Sequence, residues 1–228
     1  MSHKQKIVTI DGPSGVGKST ISRRVAQALS FTYLDTGAMY RAVGLKFKEA
    51  GLDMADETAL RKCLDSISLN LLPAGEGSED VGVILDGRDV SQEIRSSEMS
   101  MIASRVSAFP AVREKLTYMQ QEIGKKGEIV AEGRDTGTVV FPRAAWKFFL
   151  DADPEVRMHR RAKQLRSKGE SVDEEELLKM IIKRDRDDQA RSIAPLCKAK
   201  DALIIDTGLM TIDEVTQTML KVIRKELT

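Results

Sequence analysis

The stretch GPSGVGKS, residues 12–19, constrains the fold of this chain more than any other part of the sequence. It fits the pattern G-x-x-x-x-G-K-[ST]. The short β-rich run KIVTI (6–10) precedes it, and STISRRVAQAL (19–29), with apolar residues at helical spacing, follows it. In such a strand–loop–helix unit, glycines let backbone N–H groups converge on phosphate oxygens. The pattern therefore predicts a loop that binds the phosphates of a nucleoside triphosphate.

Two residues at the end of this loop carry its chemistry. The pattern predicts that Lys18 reaches the β- and γ-phosphates and that the Ser19 hydroxyl ligates Mg²⁺. A GTP-binding switch would usually add an Asn-Lys-x-Asp motif, but the one asparagine, Asn70, is followed by Leu-Leu. The switch class is therefore disfavoured. The predicted triphosphate-binding residues are Gly12, Pro13, Ser14, Gly15, Val16, Gly17, Lys18, Ser19 and Thr20.

Strand-like and helix-like segments alternate along the rest of the chain. The strand-like segments are FTYLD (31–35), EIVAE (128–132), WKFFLD (146–151) and ALIIDT (202–207). Strands that are apolar on both faces and separated by helices indicate a parallel sheet covered on two sides. The predicted fold class is α/β, with a doubly wound parallel sheet.

Residues 67–95 break this alternation. ISLNLL and VGVILDG are strand-like, and the Pro/Gly-rich PAGEGSED between them is too short for a crossover helix, which predicts an antiparallel hairpin. We therefore expect three parts: a core segment at 1–66, a small β insert at 67–95, and a second core segment at 96–228. The last part includes an arginine-rich helical segment at about 153–170.

The tripeptide Gly-Arg-Asp occurs twice, at 87–89 and at 133–135. The sequences around the two copies diverge within a few residues, so they do not form a repeat. The first copy is expected in a turn at the end of the insert, as a solvated charge pair. The second directly follows the buried strand 128–132, and ligands of open α/β sheets bind beyond the carboxyl ends of the strands. The second copy is therefore the predicted functional one.

Further arginines are expected near strand ends or helix starts. Arg41 follows LDTGAMY, and Arg184 and Arg191 lie in KRDRDDQAR; the planar guanidinium matches phosphate bidentately. Arg157 and Arg161 share one face of the helix at 153–169, which is either a lid over the triphosphate or a solvated helix surface.

The sequence contains no kinase-type catalytic loop H-R-D-x-x-x-x-N. An acceptor that is itself a phosphate monoester needs no such base, because its second pKa is about 6 and it is mostly dianionic at pH 7. Catalysis would then consist of aligning two anions and neutralising their charge. An arginine-rich site without an evident base is what such chemistry requires.

The composition restricts the partners and the compartment. The chain has 36 Lys and Arg against 35 Asp and Glu, so no overall field attracts nucleic acid or an acidic membrane. Its two cysteines, Cys63 and Cys197, show no metal-binding spacing and suit a reducing cytosol, where both are expected to be packing residues. There is no apolar run of membrane-spanning length. We expect a cytoplasmic protein, and a monomer because no helix carries a sustained apolar seam.

Seven segments together resemble bacterial-type cytidylate kinases, within the P-loop nucleoside monophosphate kinase family. They are TIDGPSGVGKST, LDTGAMYRA, LDGRDVSQEIR, ASRVSAFPAVRE, AEGRDTGTVVFP, KFFLDADPEVRMHRR and RDRDDQARSIAPL, and they span nearly the whole chain. Thr36 and Glu132 stand where some members have Ser and Asp, and both replacements keep the chemistry. The insert at 67–95 matches the nucleotide-binding insert of this family.

The resemblance implies transfer of the γ-phosphoryl group of ATP, bound with Mg²⁺, to CMP or dCMP. It implies that Thr36, Arg41 and Arg134 contact the acceptor, the arginines chiefly at its phosphate. Ser104, Arg113 and Asp135 would face the cytosine, and Arg184, Asp188 and Arg191 would hold the sugar and phosphate. Lys18, Arg134, Arg157 and Arg161 would be catalytic, the last two as part of the lid.

Two other readings of the sequence remain open. One is a different P-loop kinase of a small molecule, acting on shikimate or on another mononucleotide. The other is a binding module without enzymatic activity, which is disfavoured because such a module does not need an arginine cluster on the acceptor side.

Overall fold

The computed structural model describes residues 4–73, 80–167 and 169–227. The strands are β1 (Gln5–Asp11), β2 (Thr32–Asp35), β3 (Leu69–Leu72), β4 (Gly82–Leu85), β5 (Arg88–Asp89), β6 (Ile129–Gly133), β7 (Ala144–Asp151) and β8 (Leu203–Asp206). The helices are α1 (Lys18–Leu29), α2 (Thr36–Glu49), α3 (Glu57–Ser66), α4 (Ser97–Val106), α5 (Pro110–Gly124), α6 (Pro154–Arg166), α7 (Glu174–Gln189) and α8 (Ile212–Leu227). Most of the predicted hairpin loop, at 74–79, and residue 168 of the predicted lid lie outside the described residues.

The chain forms two compact units. The first consists of Met1–Leu34 and Lys126–Thr228, and the second of Asp35–Lys125. The predicted insert at 67–95 falls entirely within the second unit, which also contains α2 to α5. The finer division at residues 66 and 95 stays a prediction. Among the described residues, no helix combines the length and the apolar character needed to cross a membrane.

The first unit contains a five-stranded sheet in the order β2-β6-β1-β7-β8. The pairs β1–β6, β1–β7 and β7–β8 are parallel. This confirms the predicted α/β fold with a mainly parallel sheet. In the register, Asp11 at the end of β1 lies opposite Gly133 of β6 and Phe149 of β7. The segments that follow these strands therefore leave the sheet at the same edge.

Apolar side chains of α1 and α8 pack against this sheet. Val25 of α1 and Met219 of α8 are fully buried in one cluster with Val8, Trp146 and Phe148 of the strands. Val25 is one of the apolar residues whose helical spacing in 19–29 predicted this helix. A smaller separate cluster joins α6 and α7, and its buried members are Met158, Ala162 and Leu177.

The second unit contains a three-stranded antiparallel sheet in the order β3-β4-β5. The predicted hairpin is confirmed, but the third strand was not predicted. Gly87 of the first Gly-Arg-Asp lies in the turn, with φ of 81°, whereas Arg88 and Asp89 form β5. Two consecutive charged residues show no apolar alternation, so the sequence pattern could not indicate a strand there.

Candidate functional site

The glycine-rich loop follows β1 and leads directly into α1. Gly12 has φ of 149°, and a Cβ at this position would lie 2.1 Å from the carbonyl oxygen of Leu150 in β7. Only glycine permits this approach of the loop backbone to the neighbouring strand. Gly17, with φ of 91°, precedes α1 without a side-chain cap. The N–H groups of the first turn of α1 are therefore left for an external acceptor such as a phosphate.

Lys18 lies folded against this loop. Its Nζ donates to the carbonyl oxygens of Gly12 at 2.8 Å and Pro13 at 2.6 Å. Burial, followed by the positive charges of Arg134 and Arg184, lowers the pKa of Lys18 well below its ordinary value. The ammonium group thus sits in a crowded cationic environment, which a bound polyanion would relieve.

The Ser19 hydroxyl, in the first turn of α1, is the predicted magnesium ligand. Its residue is exposed and directly follows Lys18. Magnesium binds oxygen ligands, keeps several waters, and usually takes one or two protein groups together with substrate phosphates. An accessible hydroxyl in the first turn of a helix fits that requirement. Among the described residues, no cluster of three or more His, Cys, Asp or Glu forms an alternative metal site.

The second Gly-Arg-Asp begins in β6 and brings Arg134 into an ion network with α7. Arg134 Nε donates to Asp188 Oδ2 at 2.9 Å, and Arg191 donates to the other oxygen of the same carboxylate. Burial raises the pKa of Asp188, but Arg134, Arg191 and Arg184 outweigh burial and hold it below its ordinary value. Two of the predicted acceptor arginines are thus fixed by one buried aspartate, which was itself predicted.

Asp11, at the end of β1, fixes the segment that follows the second Gly-Arg-Asp. Its carboxylate accepts from the backbone N–H and the hydroxyl of Thr136 at 2.9 and 2.8 Å, and from the N–H of Gly137 at 2.7 Å. Thr136–Val140 is a π-helical turn, a rare form that often occurs at functional sites. Burial raises the pKa of Asp11 to about 6 despite these hydrogen bonds.

The two predicted lid arginines of α6 have different surroundings. Arg157 is only 2% exposed. It donates to the carbonyl oxygens of Ala152 at 2.9 Å and Ser14 at 3.2 Å, and to Asp185 at 2.6 Å. Arg161 donates to the Gln164 side chain at 2.7 Å, at the surface. Helical spacing suggested one shared role for the two arginines. In the structure, Arg157 is buried and contacts the glycine-rich loop at Ser14, whereas the contact of Arg161 is at the surface.

Other predicted residues lie in the second unit. Thr36 is buried at the start of α2, and Arg41 of the same helix donates to Asp35 at 3.1 Å. Arg113 of α5 is buried, and its guanidinium carbon lies 5.7 Å from the centre of the Tyr40 ring. Ser104 is half-buried on α4.

The structure therefore brings Lys18 and Arg157 into contact with the glycine-rich loop, and Arg134 is near enough to lower the pKa of Lys18. Arg184 also reaches this loop, with Nη1 3.4 Å from the Ser14 hydroxyl. The sequence analysis missed the carboxylates that orient these groups, namely Asp11, Asp35 and Asp185. Asp11 and Asp35 are buried and each ends a strand of the large sheet, so the strand-end rule that selected Arg134 could have found them. Nothing in the sequence around Cys197 indicated that it would be exposed rather than packed.

Comparison with known proteins gives concordant matches over the whole chain. The model of the cytidylate kinase family matches residues 8–225. A cytidylate kinase of Carboxydothermus hydrogenoformans is 45% identical over 219 residues, which cover 96% of this chain and 97% of that protein. A cytidylate kinase of Vibrio vulnificus is 44% identical over 227 residues, 100% of this chain and 99% of that protein.

Among solved structures, a shikimate kinase from Bacteroides thetaiotaomicron is similar with a TM-score of 0.51. It is 16% identical, and the match covers 96% of this chain and 98% of that one. At this identity the likeness concerns the fold alone.

Proposed function

The chain belongs to the cytidylate kinase family, and from this premise we propose that it transfers the γ-phosphoryl group of ATP to CMP or dCMP. The products are ADP and CDP or dCDP. The observation that carries the proposal is the set of cationic side chains at the glycine-rich loop. Lys18 contacts the loop carbonyls, Arg184 lies 3.4 Å from the Ser14 hydroxyl, and Arg134, after burial, lowers the pKa of Lys18. Such a concentration of positive charge is suited to two polyanions brought close together.

The reaction needs no proton transfer by the protein. An oxygen of the acceptor phosphate, dianionic at neutral pH, forms the new bond to the γ-phosphorus. The bond from that phosphorus to the β,γ-bridging oxygen breaks, and ADP leaves with the electron pair. The protein therefore acts by aligning both phosphates and stabilising the charge of the transferred group.

We assign these tasks to the groups around the glycine-rich loop. The backbone of the loop and Lys18 bind the β- and γ-phosphates, for which Lys18 must exchange its two carbonyl partners. Arg134 and Arg191, held by Asp188, neutralise the acceptor phosphate, and Arg161 contributes from α6. Magnesium bound with ATP supplies further neutralisation of the phosphate charge, and Ser19 would hold it.

The direct test measures ADP formation from ATP and Mg²⁺ with the purified chain. CMP and dCMP should each stimulate ADP formation strongly, whereas omission of the acceptor should leave only a trace rate. UMP, AMP and shikimate are tested in parallel at equal concentration. A preference for shikimate or AMP would show that the chain is a different small-molecule kinase. Absence of turnover with every acceptor would favour a binding module without enzymatic activity.

Asp135 is the group that we propose to read the base. It is 6% exposed and directly follows Arg134. Cytosine presents an N4 amino donor, which a carboxylate accepts, whereas uracil presents a carbonyl oxygen at the same place. Opposite uracil, the buried carboxylate would meet a second acceptor, a mismatch that rejects a ligand strongly.

We predict that Asp135→Asn lowers kcat/KM for CMP and narrows the CMP to UMP preference, because an amide can donate to O4 of uracil. Loss of one charged hydrogen bond corresponds to about a tenfold change in that preference. Steady-state kinetics with both acceptors measure it, and Ser104→Ala serves as the comparison. Equal losses for CMP and UMP would mean that Asp135 supports the site and that another group reads the base.

A further inference from the structure

Asp35, between β2 and α2, accepts from two arginines through one oxygen. Its Oδ2 lies 3.1 Å from Arg41 Nη2 and 3.2 Å from Arg95 Nη1. Its Oδ1 caps α2 by accepting from the N–H of Ala38 at 2.8 Å. Asp35 is 4% exposed, so these contacts are largely shielded from water. The position of Arg41 is therefore set together with that of Arg95.

Arg95 is also bound to the beginning of β4. Its Nη2 donates to the carbonyl oxygen of Val81 at 3.2 Å, and its Nε lies 3.7 Å from Asp80 Oδ2. Residues 80 and 81 lead directly into β4, the central strand of the three-stranded sheet. One planar guanidinium thus joins this strand to the carboxylate that orients Arg41, a geometry that lysine could not reproduce.

The charges of this cluster favour exchange of partners. Two guanidinium groups share the buried Asp35 carboxylate, and the second carboxylate near them, Asp80, is half exposed and 3.7 Å from Arg95 Nε. Burial raises the pKa of Asp35, but Arg41 and Arg95 outweigh burial and keep the carboxylate ionised. An acceptor phosphate that draws Arg41 towards itself leaves Asp35 to Arg95 alone, so the carboxylate keeps a partner throughout.

We propose that Arg95 is a positioning residue for the acceptor phosphate, acting through Asp35 on Arg41 and tying the start of β4 to this pair. The inference rests on the proposed function and on the contact of Arg41 with the acceptor phosphate, which the resemblance to the family implies. We assign Arg95 to Asp35 and not to the phosphate itself, because its two terminal nitrogens donate to Asp35 and Val81. The coupling is reciprocal: acceptor binding strengthens the contact at β4, and a firm contact at β4 favours acceptor binding.

The first experiment compares Arg95→Gln with wild type and with Arg88→Gln. Arg88 lies on the same three-stranded sheet, with exposed ion pairs to Glu49 and Glu93, and serves as the matched control. Arg95→Gln should weaken CMP binding, measured by calorimetry, and raise KM for CMP by roughly tenfold, the effect of one charge-assisted hydrogen bond. KM for ATP should stay within about twofold of wild type, and the control should match wild type in all three constants.

The second experiment separates positioning from general support of the fold. Arg41→Lys and Arg95→Gln are combined in a double-mutant cycle on the affinity for CMP. If Arg95 acts through Arg41, replacing Arg95 should lower the affinity for CMP little further once Arg41 is changed. If the two residues act independently, the two fold-losses of affinity should multiply. Arg95→Lys, which keeps the charge but not the fork, enters the same cycle if the glutamine variant does not fold.

Three results would overturn the inference. They are an unchanged affinity for CMP in both Arg95 variants, a rise in KM for ATP equal to that for CMP, and fold-losses of CMP affinity that multiply in the double-mutant cycle. They differ from a failure of the proposed function, which would appear in wild type as absent CMP-dependent ADP formation. A wild-type protein that does not bind CMP at all would overturn both.

Discussion

Lys18 makes its hydrogen bonds within the loop that we assign to the triphosphate. Both acceptors are backbone carbonyl oxygens of Gly12 and Pro13, so bound phosphate must compete with two short contacts. The compensation is electrostatic, because a phosphate oxygen carries a charge that would favour the lysine cation, whereas burial and then the nearby arginines lower the pKa of Lys18. In the absence of ATP, these contacts therefore hold the Lys18 side chain at the loop to which we assign the triphosphate.

Replacement of Lys18 by Ala should lower kcat by about 10²–10³-fold, the typical effect of removing one donor that stabilises transition-state charge. Circular dichroism and urea unfolding check that the variant folds. Lys183→Ala is the matched control, since Lys183 forms an exposed pair with Asp187 on α7. A folded Lys18 variant with wild-type kcat would contradict the assignment of the loop.

Asp11 makes the stability of the protein depend on pH in an unusual direction. Its pKa rises from 3.8 to about 6 on folding, so the folded state binds this proton more tightly than the unfolded chain. The favourable contribution of Asp11 to the free energy of unfolding is complete below about pH 4 and is lost as pH rises through 6. The charged groups that face it are Asp135 on the segment after β6 and Lys18 on α1.

Asp11→Asn removes this titration. The free energy of unfolding of wild type, relative to the variant, should fall by up to about 3 kcal/mol between pH 4 and pH 7. Urea unfolding of both proteins at several pH values measures the difference. A difference that stays constant with pH would mean that Asp11 has its ordinary pKa in the folded protein.

At the scale of elements, α6 is anchored at its first turns and exposed further along. Arg157 connects its beginning to Ser14 of the glycine-rich loop and to Asp185 of α7. Arg160 donates to Thr207 after β8, and the Thr207 hydroxyl in turn donates to Val16 of the loop. Any movement of a lid at 153–170 therefore concerns the part beyond these anchors.

Replacing the two arginines of α6 should accordingly have different effects on the free energy of unfolding. Arg157→Gln breaks a buried ion pair and should reduce the free energy of unfolding by about 3–5 kcal/mol. Arg161→Gln should change it by no more than about 0.5 kcal/mol, as expected at the surface, while lowering kcat. Denaturant unfolding together with steady-state kinetics distinguishes them. Equal stability losses would place both arginines in the structural support of the loop.

How far the sequence predicts an element depends on the kind of interaction that forms it. The strands β1 and β7 of the large sheet were predicted because burial on both faces leaves an apolar run. β8 is apolar in sequence but mostly exposed in the structure. β5 was missed because its two charged residues pair through backbone hydrogen bonds alone. Arg157 and Arg161 were indistinguishable in sequence, since only the tertiary position of Asp185 and Ser14 decides which one is buried.

For the whole molecule, a net charge of +1 conceals two clusters of buried and half-buried cationic side chains. One surrounds the glycine-rich loop in the first unit, and the other surrounds Asp35 in the second. Buried carboxylates lie in both clusters. Without them, burying the arginines would cost free energy, because their charges would not be neutralised. Nucleotides bound at these clusters, as proposed, should stabilise the folded protein.

Hydrogen exchange can test this expectation. We predict that CMP with a non-hydrolysable ATP analogue slows exchange in the insert at 67–95 and in the lid segment at 153–169, because bound substrates and excluded water protect both. At ligand concentrations of about 100 times Kd, protection by up to about a hundredfold is expected. Each nucleotide alone should protect less, and α8, already buried against α1, serves as the internal reference. Unchanged exchange in both segments, with saturation shown by calorimetry, would exclude a lid and would confine the response to the residues that touch the nucleotides.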